Sequence, residues 1–140
     1  MLKNLPKILS PELLKFLSEM GHGDEVVIAD ANFPAHTMNK RVIRADGIKG
    51  TEMLKAILAV IPLDTYADEN FMLMETSKGD PTPEIWQEYE DIARSLDSNV
   101  KKKMIERFAF YERSKNAFLV IETGEERIYG NIILKKGVIK

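Results

Sequence analysis

Apolar positions along this chain switch between two spacings, and the switches mark its elements. Leu13, Leu14, Leu17 and Met20 recur at helical spacing behind Ser10-Pro11-Glu12, where Ser10 can cap a helix and Pro11 fills its first position, in which a missing N–H is no loss. Val26 to Ala29 is a short unbroken apolar run, the pattern of a strand covered on both faces, and it ends on Asp30. Val42-Ile43-Arg44 reads as a second short strand, closed by the turn Ala45-Asp46-Gly47. Met53, Leu54, Ile57, Leu58 and Ile61 mark a second helix, predicted to be capped by Thr51 and stopped by Pro62. After the linker Leu63 to Tyr66, Phe71-Met72-Leu73-Met74 is the next buried strand, with methionine serving as core filler.

The polar, proline-containing loop Ser77 to Pro83 leads into Thr82-Pro83-Glu84, which repeats the cap-then-proline start. Ile85, Trp86, Tyr89, Ile92 and Leu96 are the expected buried face of this third helix. Met104 to Phe108 reads as a strand, Ala109 to Asn116 as a short helical or turn segment, and Ala117 to Ile121 as a strong strand. Thr123-Gly124-Glu125 turns into a last extended stretch, Ile128 to Leu134, which Gly137 ends. Strands that alternate with helices and give way to strand-rich sequence describe an α/β fold, with a mixed sheet sandwiched between helical layers in a three-layer α/β/α arrangement.

The 140 residues suit one domain, 1–140, with enough chain for a substantial core. Without cysteine there is no disulfide framework, thiolate nucleophile or zinc-thiolate site. A formal charge of −2, with both signs interspersed, argues against a nucleic-acid surface, so Lys101-Lys102-Lys103 reads as a solvated strand entry. The first residues lack a signal-peptide apolar core and no segment is apolar enough to span a bilayer, so the expected location is cytoplasmic.

Candidate chemistry concentrates in Met20-Gly21-His22-Gly23-Asp24 and the strand after it. Gly21 and Gly23 bend the backbone around His22, and Asp30 lies past the carboxyl end of a buried strand, where open α/β sheets bind ligands. Imidazole and carboxylate suit acid and base work near neutral pH; the same residues equally describe a helix stop and a turn cap. The loop Ala31 to His36 carries Phe33, an exposed-looking aromatic ahead of Pro34, as a candidate pocket wall. His22 and His36 are the only histidines, and no ligand spacing points to a metal.

Several separated motifs, in order, resemble the ribose pyranase and L-fucose mutarotase family on its fucose side. They are Met20 to Asp24 with Asp30, Asn32 to Ala35, Ile43 to Gly47, Leu63 to Tyr66, Arg107 to Arg113, and Thr123 to Glu125 with Tyr129-Gly130-Asn131. The ribose branch usually has a non-glycine after the motif histidine, Tyr-Ala-Asn near the end, and no Phe-Tyr-Glu-Arg segment. Here those places hold Gly23, Tyr129-Gly130-Asn131 and Phe110-Tyr111-Glu112-Arg113. Ser114, where alanine is commoner, and the loop from Thr76 to Pro83 are the departures.

The resemblance implies the ribose pyranase fold, a single sugar mutarotase domain, and an isomerase that exchanges the α and β anomers of L-fucose without a cofactor. By motif position it implies His22 and Tyr111 as the proton-handling groups. Asp30, Asp64, Met74, Arg107, Tyr129, Gly130 and Asn131 are the implied sugar-binding residues. It further implies a homodecamer with each pocket at a subunit boundary, which would give the aromatic segments around Phe33 and Phe110 places outside a single small core. A non-catalytic monosaccharide-binding protein of a transport or catabolic system, and a ribose pyranase, are the alternatives.

Overall fold

The computed structural model describes residues 1–140, and its elements follow in the order α1 Pro11–Glu19, β1 Glu25–Ala29, α2 Ala35–Met38, β2 Val42–Ala45, α3 Gly50–Leu58, β3 Phe71–Met74, α4 Glu84–Leu96, β4 Lys102–Ile105, α5 Arg107–Lys115, β5 Leu119–Thr123 and β6 Ile132–Lys135. The strands form one mixed sheet in the order β2-β5-β1-β6-β3-β4. β6 pairs antiparallel with β1 and β3, whereas the β1–β5, β2–β5 and β3–β4 pairs are parallel, so β6 alone runs against the rest.

Both faces of this sheet are buried, because successive residues of a strand point to opposite sides. Val26 and Ile28, Phe71 and Leu73, Leu119 and Ile121, and Ile132 and Leu134 pack under α1, α3 and α4 in the larger core. Val27 and Ala29, Met72 and Met74, Val120 and Ile133 face the smaller core beneath α2 and α5. The three-layer α/β/α sandwich is therefore present. No helix is long and apolar enough to cross a membrane.

Local chemistry explains where the elements differ from expectation. Ser10 caps α1 through the Leu13 N–H at 3.2 Å as read, but Thr51 and Thr82 cap nothing. α3 begins at Gly50, with Lys49 at the cap position and no side-chain cap. α4 begins one residue later than expected, with Pro83 itself at the cap position. The strand read over Met104 to Phe108 stops at Ile105, because the Glu106 carboxylate accepts from the N–H groups of Phe108 and Ala109 at 2.9 and 3.0 Å and starts α5. The stretch from Ile128 becomes a strand only at Ile132: Tyr129 has φ 60, a left-handed residue that extended chain does not accommodate. Residues 35–38 form the short helix α2 rather than open loop, and Leu96 is exposed at the end of α4. Phe33 and Phe110 are not surplus to the core: both are buried and meet edge-on at 6.0 Å, so it is Phe108, 66% exposed, that stands outside.

One close approach joins α3 to α4. A Cβ on Gly50 would stand 1.9 Å from the Tyr89 hydroxyl, whose residue is fully buried. Gly50→Ala is expected to destabilise the fold by about 1–3 kcal/mol, as overpacking does. Adding Tyr89→Phe should recover part of that loss; urea unfolding of both single variants and the double variant measures the coupling.

Candidate functional site

A cleft of about 290 Å³ opens at the sheet edge where β1, β3 and β4 end and β6 begins. The turn after β1 contributes Asp30, Asn32 and Phe33, and the last residue of β3 contributes Met74. α5 supplies Arg107 and Tyr111 from its first turns, and the segment before β6 supplies Ile128, Tyr129 and Asn131. Carboxyl ends of parallel strands are where such sheets bind ligands, because helix starts and turns converge there.

Asp30 is the electrostatic centre of the cleft. It is buried, its Oδ1 accepts from the Asn32 N–H at 2.9 Å, and its own N–H donates to Asn131 Oδ1 at 2.8 Å. Burial pushes its carboxyl above the usual carboxylate range, against hydrogen bonds from Asn32, the Asn131 side chain and the N–H groups of Gly130 and Phe33. Gly130 sits behind the cleft, its carbonyl accepting from the Tyr89 hydroxyl at 3.0 Å.

Across the cleft, Arg107 Nε donates to the Tyr111 oxygen at 3.1 Å, which leaves the phenol's own hydrogen available to a ligand. The guanidinium carbon lies 5.4 Å from the ring centroids of both Phe108 and Tyr111, and the Tyr111 ring meets Phe33 edge-on at 5.6 Å. The Tyr129 hydroxyl is already engaged: it donates to the Asp80 carboxylate and accepts from the Ser77 N–H at 3.1 Å.

Asp30, Met74, Arg107, Tyr111, Tyr129 and Asn131 thus share one cleft. His22 and Asp64 do not join them within the chain. His22 precedes β1 and Asp30 follows it, so five residues of strand, roughly 17 Å, separate the two groups and they cannot pair. His22 Nε2 instead lies 2.8 Å from Asp64 Oδ1, at the opposite sheet edge, where the Asp64 N–H bonds the carbonyl of Lys135 at the end of β6. The Asp64 side chain is 4% exposed and also accepts from the N–H groups of Tyr66 and Ala67, at 3.2 and 3.1 Å. Burial alone would raise this carboxyl, but the His22 ring and the two N–H groups outweigh it and hold it below the usual range.

An ionised carboxylate can only accept, so Asp64 keeps a proton on Nε2 of His22 and leaves Nδ1, which has no partner in the chain, as the group presented outward. His22 is 47% exposed and tilts against Tyr66, itself exposed, at 5.3 Å between ring centroids. The chain therefore carries a polar cleft with a phenol at one edge and a carboxylate-oriented imidazole at the other.

Sequence reasoning missed Ile128, hidden inside a stretch read as strand, and the part played by Asp80 and Ser77. Only the density of polar residues in the Ser77 to Pro83 loop hinted at the latter. No group of three or more His, Asp or Glu side chains is placed to hold a metal ion.

The RbsD / FucU transport protein family matches residues 3–139. A protein named fucose mutarotase from Danio rerio is 51% identical over 146 residues, covering 99% of this chain and 94% of its own. The crystal structure of the fucose mutarotase in complex with L-fucose from Streptococcus pneumoniae superposes with a TM-score of 0.95 at 45% identity, covering 99% of this chain and all of the other. Bacillus subtilis RbsD complexed with D-ribose covers both chains fully with a TM-score of 0.74 at 24% identity, a likeness of fold.

Because burial raises Asp30, ionising it opposes folding: its contribution to stability is full below the ordinary carboxylate pKa and is lost as pH rises through the raised one. Asn131→Ala removes a hydrogen bond that favours the charged form, so the Asp30 pKa is expected to rise further. A carboxyl ¹³C NMR titration of both proteins reads this directly, and a lowered value in the variant would contradict it.

Proposed function

The chain belongs to the RbsD / FucU transport protein family, and from that premise we propose that it interconverts the α and β anomers of L-fucose by acid and base catalysis of ring opening and closure. The observation that carries the reading is the cleft in which a buried carboxylate, an amide, a guanidinium and a phenol surround apolar Met74 and Phe33, a lining suited to a small polyol with one methyl group. The 45–51% identity to proteins named fucose mutarotase, over nearly the whole chain, supports the sugar and the reaction.

The chemistry asks for two proton-handling groups. One protonates the ring oxygen while the other takes the proton of the anomeric hydroxyl; the bond from the anomeric carbon to the ring oxygen breaks and the open-chain aldehyde forms. The carbonyl turns its other face, and the two groups reverse their roles on closure. Tyr111 is the one group and His22, oriented by Asp64, is the other. Asp30, Asn131 and Arg107 hold sugar hydroxyls by charge-assisted and amide hydrogen bonds, with Met74 and Tyr129 shaping the wall and Gly130 behind it.

Since His22 and Tyr111 lie at opposite sheet edges of one chain, the reading requires a second subunit to bring its His22 and Asp64 to this cleft. A closed ring of head-to-tail contacts, a homodecamer by the family's pattern, meets that need, with residues 1–140 as one sugar mutarotase unit working in the cytoplasm. A second reading has one specific observation behind it: the cleft of a single chain holds the hydroxyl-binding groups without His22, which describes a sugar-binding protein that does not turn over.

NMR magnetisation exchange between the anomeric protons of L-fucose separates the two, with D-ribose as the comparison sugar. His22→Ala and Tyr111→Phe are each expected to lower exchange by about 10²- to 10⁴-fold. Co-refolding the two inactive variants should restore about a quarter of the activity, because random assembly pairs an intact Tyr111 cleft with an intact neighbouring His22 in that fraction of interfaces. Binding without exchange in the unaltered chain would favour the sugar-binding protein.

A further inference from the structure

Trp86 is the chain's single tryptophan, half-buried on α4, and it does not line the cleft. Its indole N–H donates to the carbonyl of Tyr129 at 3.0 Å, and three residues along the same helix the Tyr89 hydroxyl donates to the carbonyl of Gly130 at 3.0 Å. One helix face thus holds two consecutive carbonyls of the segment that enters β6.

That segment is the strained part of the site. Tyr129 has φ 60, a conformation that a bulky residue keeps only where its surroundings over-determine it. The left-handed residue turns the chain so that Tyr129 faces the cleft and Asn131, two residues on, reaches Asp30. The next residue has little room for a side chain: a Cβ on Gly130 would stand 3.1 Å from the Arg127 carbonyl oxygen and 3.3 Å from Ile85 Cδ1. At its outer end Tyr129 is tied by its hydroxyl to Asp80 and the Ser77 N–H, so its hydroxyl hydrogen is committed and the ring face is what remains for a ligand.

We propose that Trp86 is a positioning residue for sugar recognition: its N–H to the Tyr129 carbonyl fixes the left-handed turn that sets the Tyr129 ring and the Asn131 amide in the cleft. The inference rests on the cleft being the sugar site. Trp86 touches neither Tyr111 nor His22 through any hydrogen bond, so its loss acts on binding rather than on proton transfer.

Trp86→Phe keeps an aromatic ring and removes the N–H. Calorimetry with L-fucose is expected to show binding about tenfold weaker, and anomer exchange a KM raised by a similar factor with kcat within about twofold, the scale of one hydrogen bond. Ile92→Ala on the same helix, where Ile92 is half-buried against the larger core, is the control: it lowers the melting temperature and leaves fucose affinity unchanged. Unchanged affinity in Trp86→Phe, or a fall in kcat with KM unchanged, overturns the proposal.

If Trp86→Phe does not fold, the unaltered protein still decides. Saturable change in Trp86 fluorescence on adding L-fucose supports the link from indole to cleft, and emission that ignores a saturating sugar concentration overturns it. An unaltered chain that binds fucose without exchanging its anomers defeats the mutarotase reading alone, with Trp86 then judged by affinity; one that does not bind fucose defeats both.

Discussion

Strand β6 runs against the other five strands from the middle of the sheet, and the cleft exists because of that reversal. Parallel strands bring only carboxyl ends to one edge; a reversed strand brings an amino end to the same place. Tyr129, Gly130 and Asn131 therefore arrive between the ends of β1 and β3, opposite Asp30 and Met74, with no long excursion of the chain. Antiparallel pairing of Val27 with Ile133 and of Ile28 with Ile132 sets the register, and the alternation of those side chains between two buried faces resists slippage, since one residue of shift would put every side chain in the wrong layer. The packing that stabilises the sheet is thus also what holds Asn131 within 2.8 Å of Asp30.

The two edges of the sheet carry different chemistry and different unpaired surface. Around the cleft, Phe108 and Ile128 are exposed; on the His22 side, Tyr66 is. Large apolar side chains left in water on two distinct faces suit a head-to-tail contact, in which unlike patches meet, better than a two-fold contact of like with like. Such a contact would also set the outward Nδ1 of His22 against a neighbour's cleft, so that one association buries apolar surface and completes the proposed acid and base pair together.

Much of this was legible in the chain. Buried strands showed as unbroken apolar runs, and Ser10-Pro11 marked the first helix by chemistry local to it. Misreadings came where distant residues decide. Thr51 reads as a cap, but α3 starts one residue earlier, at Gly50, a position packed against the Tyr89 hydroxyl from α4. Phe108 read as strand because its apolar neighbours fit either period, and only the Glu106 side chain folding back onto two N–H groups ends β4 there. For the site, residue types could nominate His22 and Asp30 but not their separation, because a short strand that joins two polar ends also places them at opposite edges.

The division of labour in the proposed site follows from the chemistry. Ring opening of a hemiacetal proceeds unaided in water, so two positioned proton carriers suffice and recognition becomes the demanding part. Recognition needs rigid donors and acceptors, because a hydroxyl is distinguished strongly only by a polar group left unpaired in its absence. Asp30, buried with Oδ1 fixed by the Asn32 N–H, and the Asn131 amide, fixed by the Asp30 N–H, are proposed to meet that demand within one chain, while Tyr129, held at both its carbonyl and its hydroxyl, offers a fixed ring face. His22 needs only the correct tautomer, which Asp64 enforces at the far edge. In the proposed assembly each protomer would thus carry its recognition surface prearranged, and proton transfer would wait on the neighbour's His22.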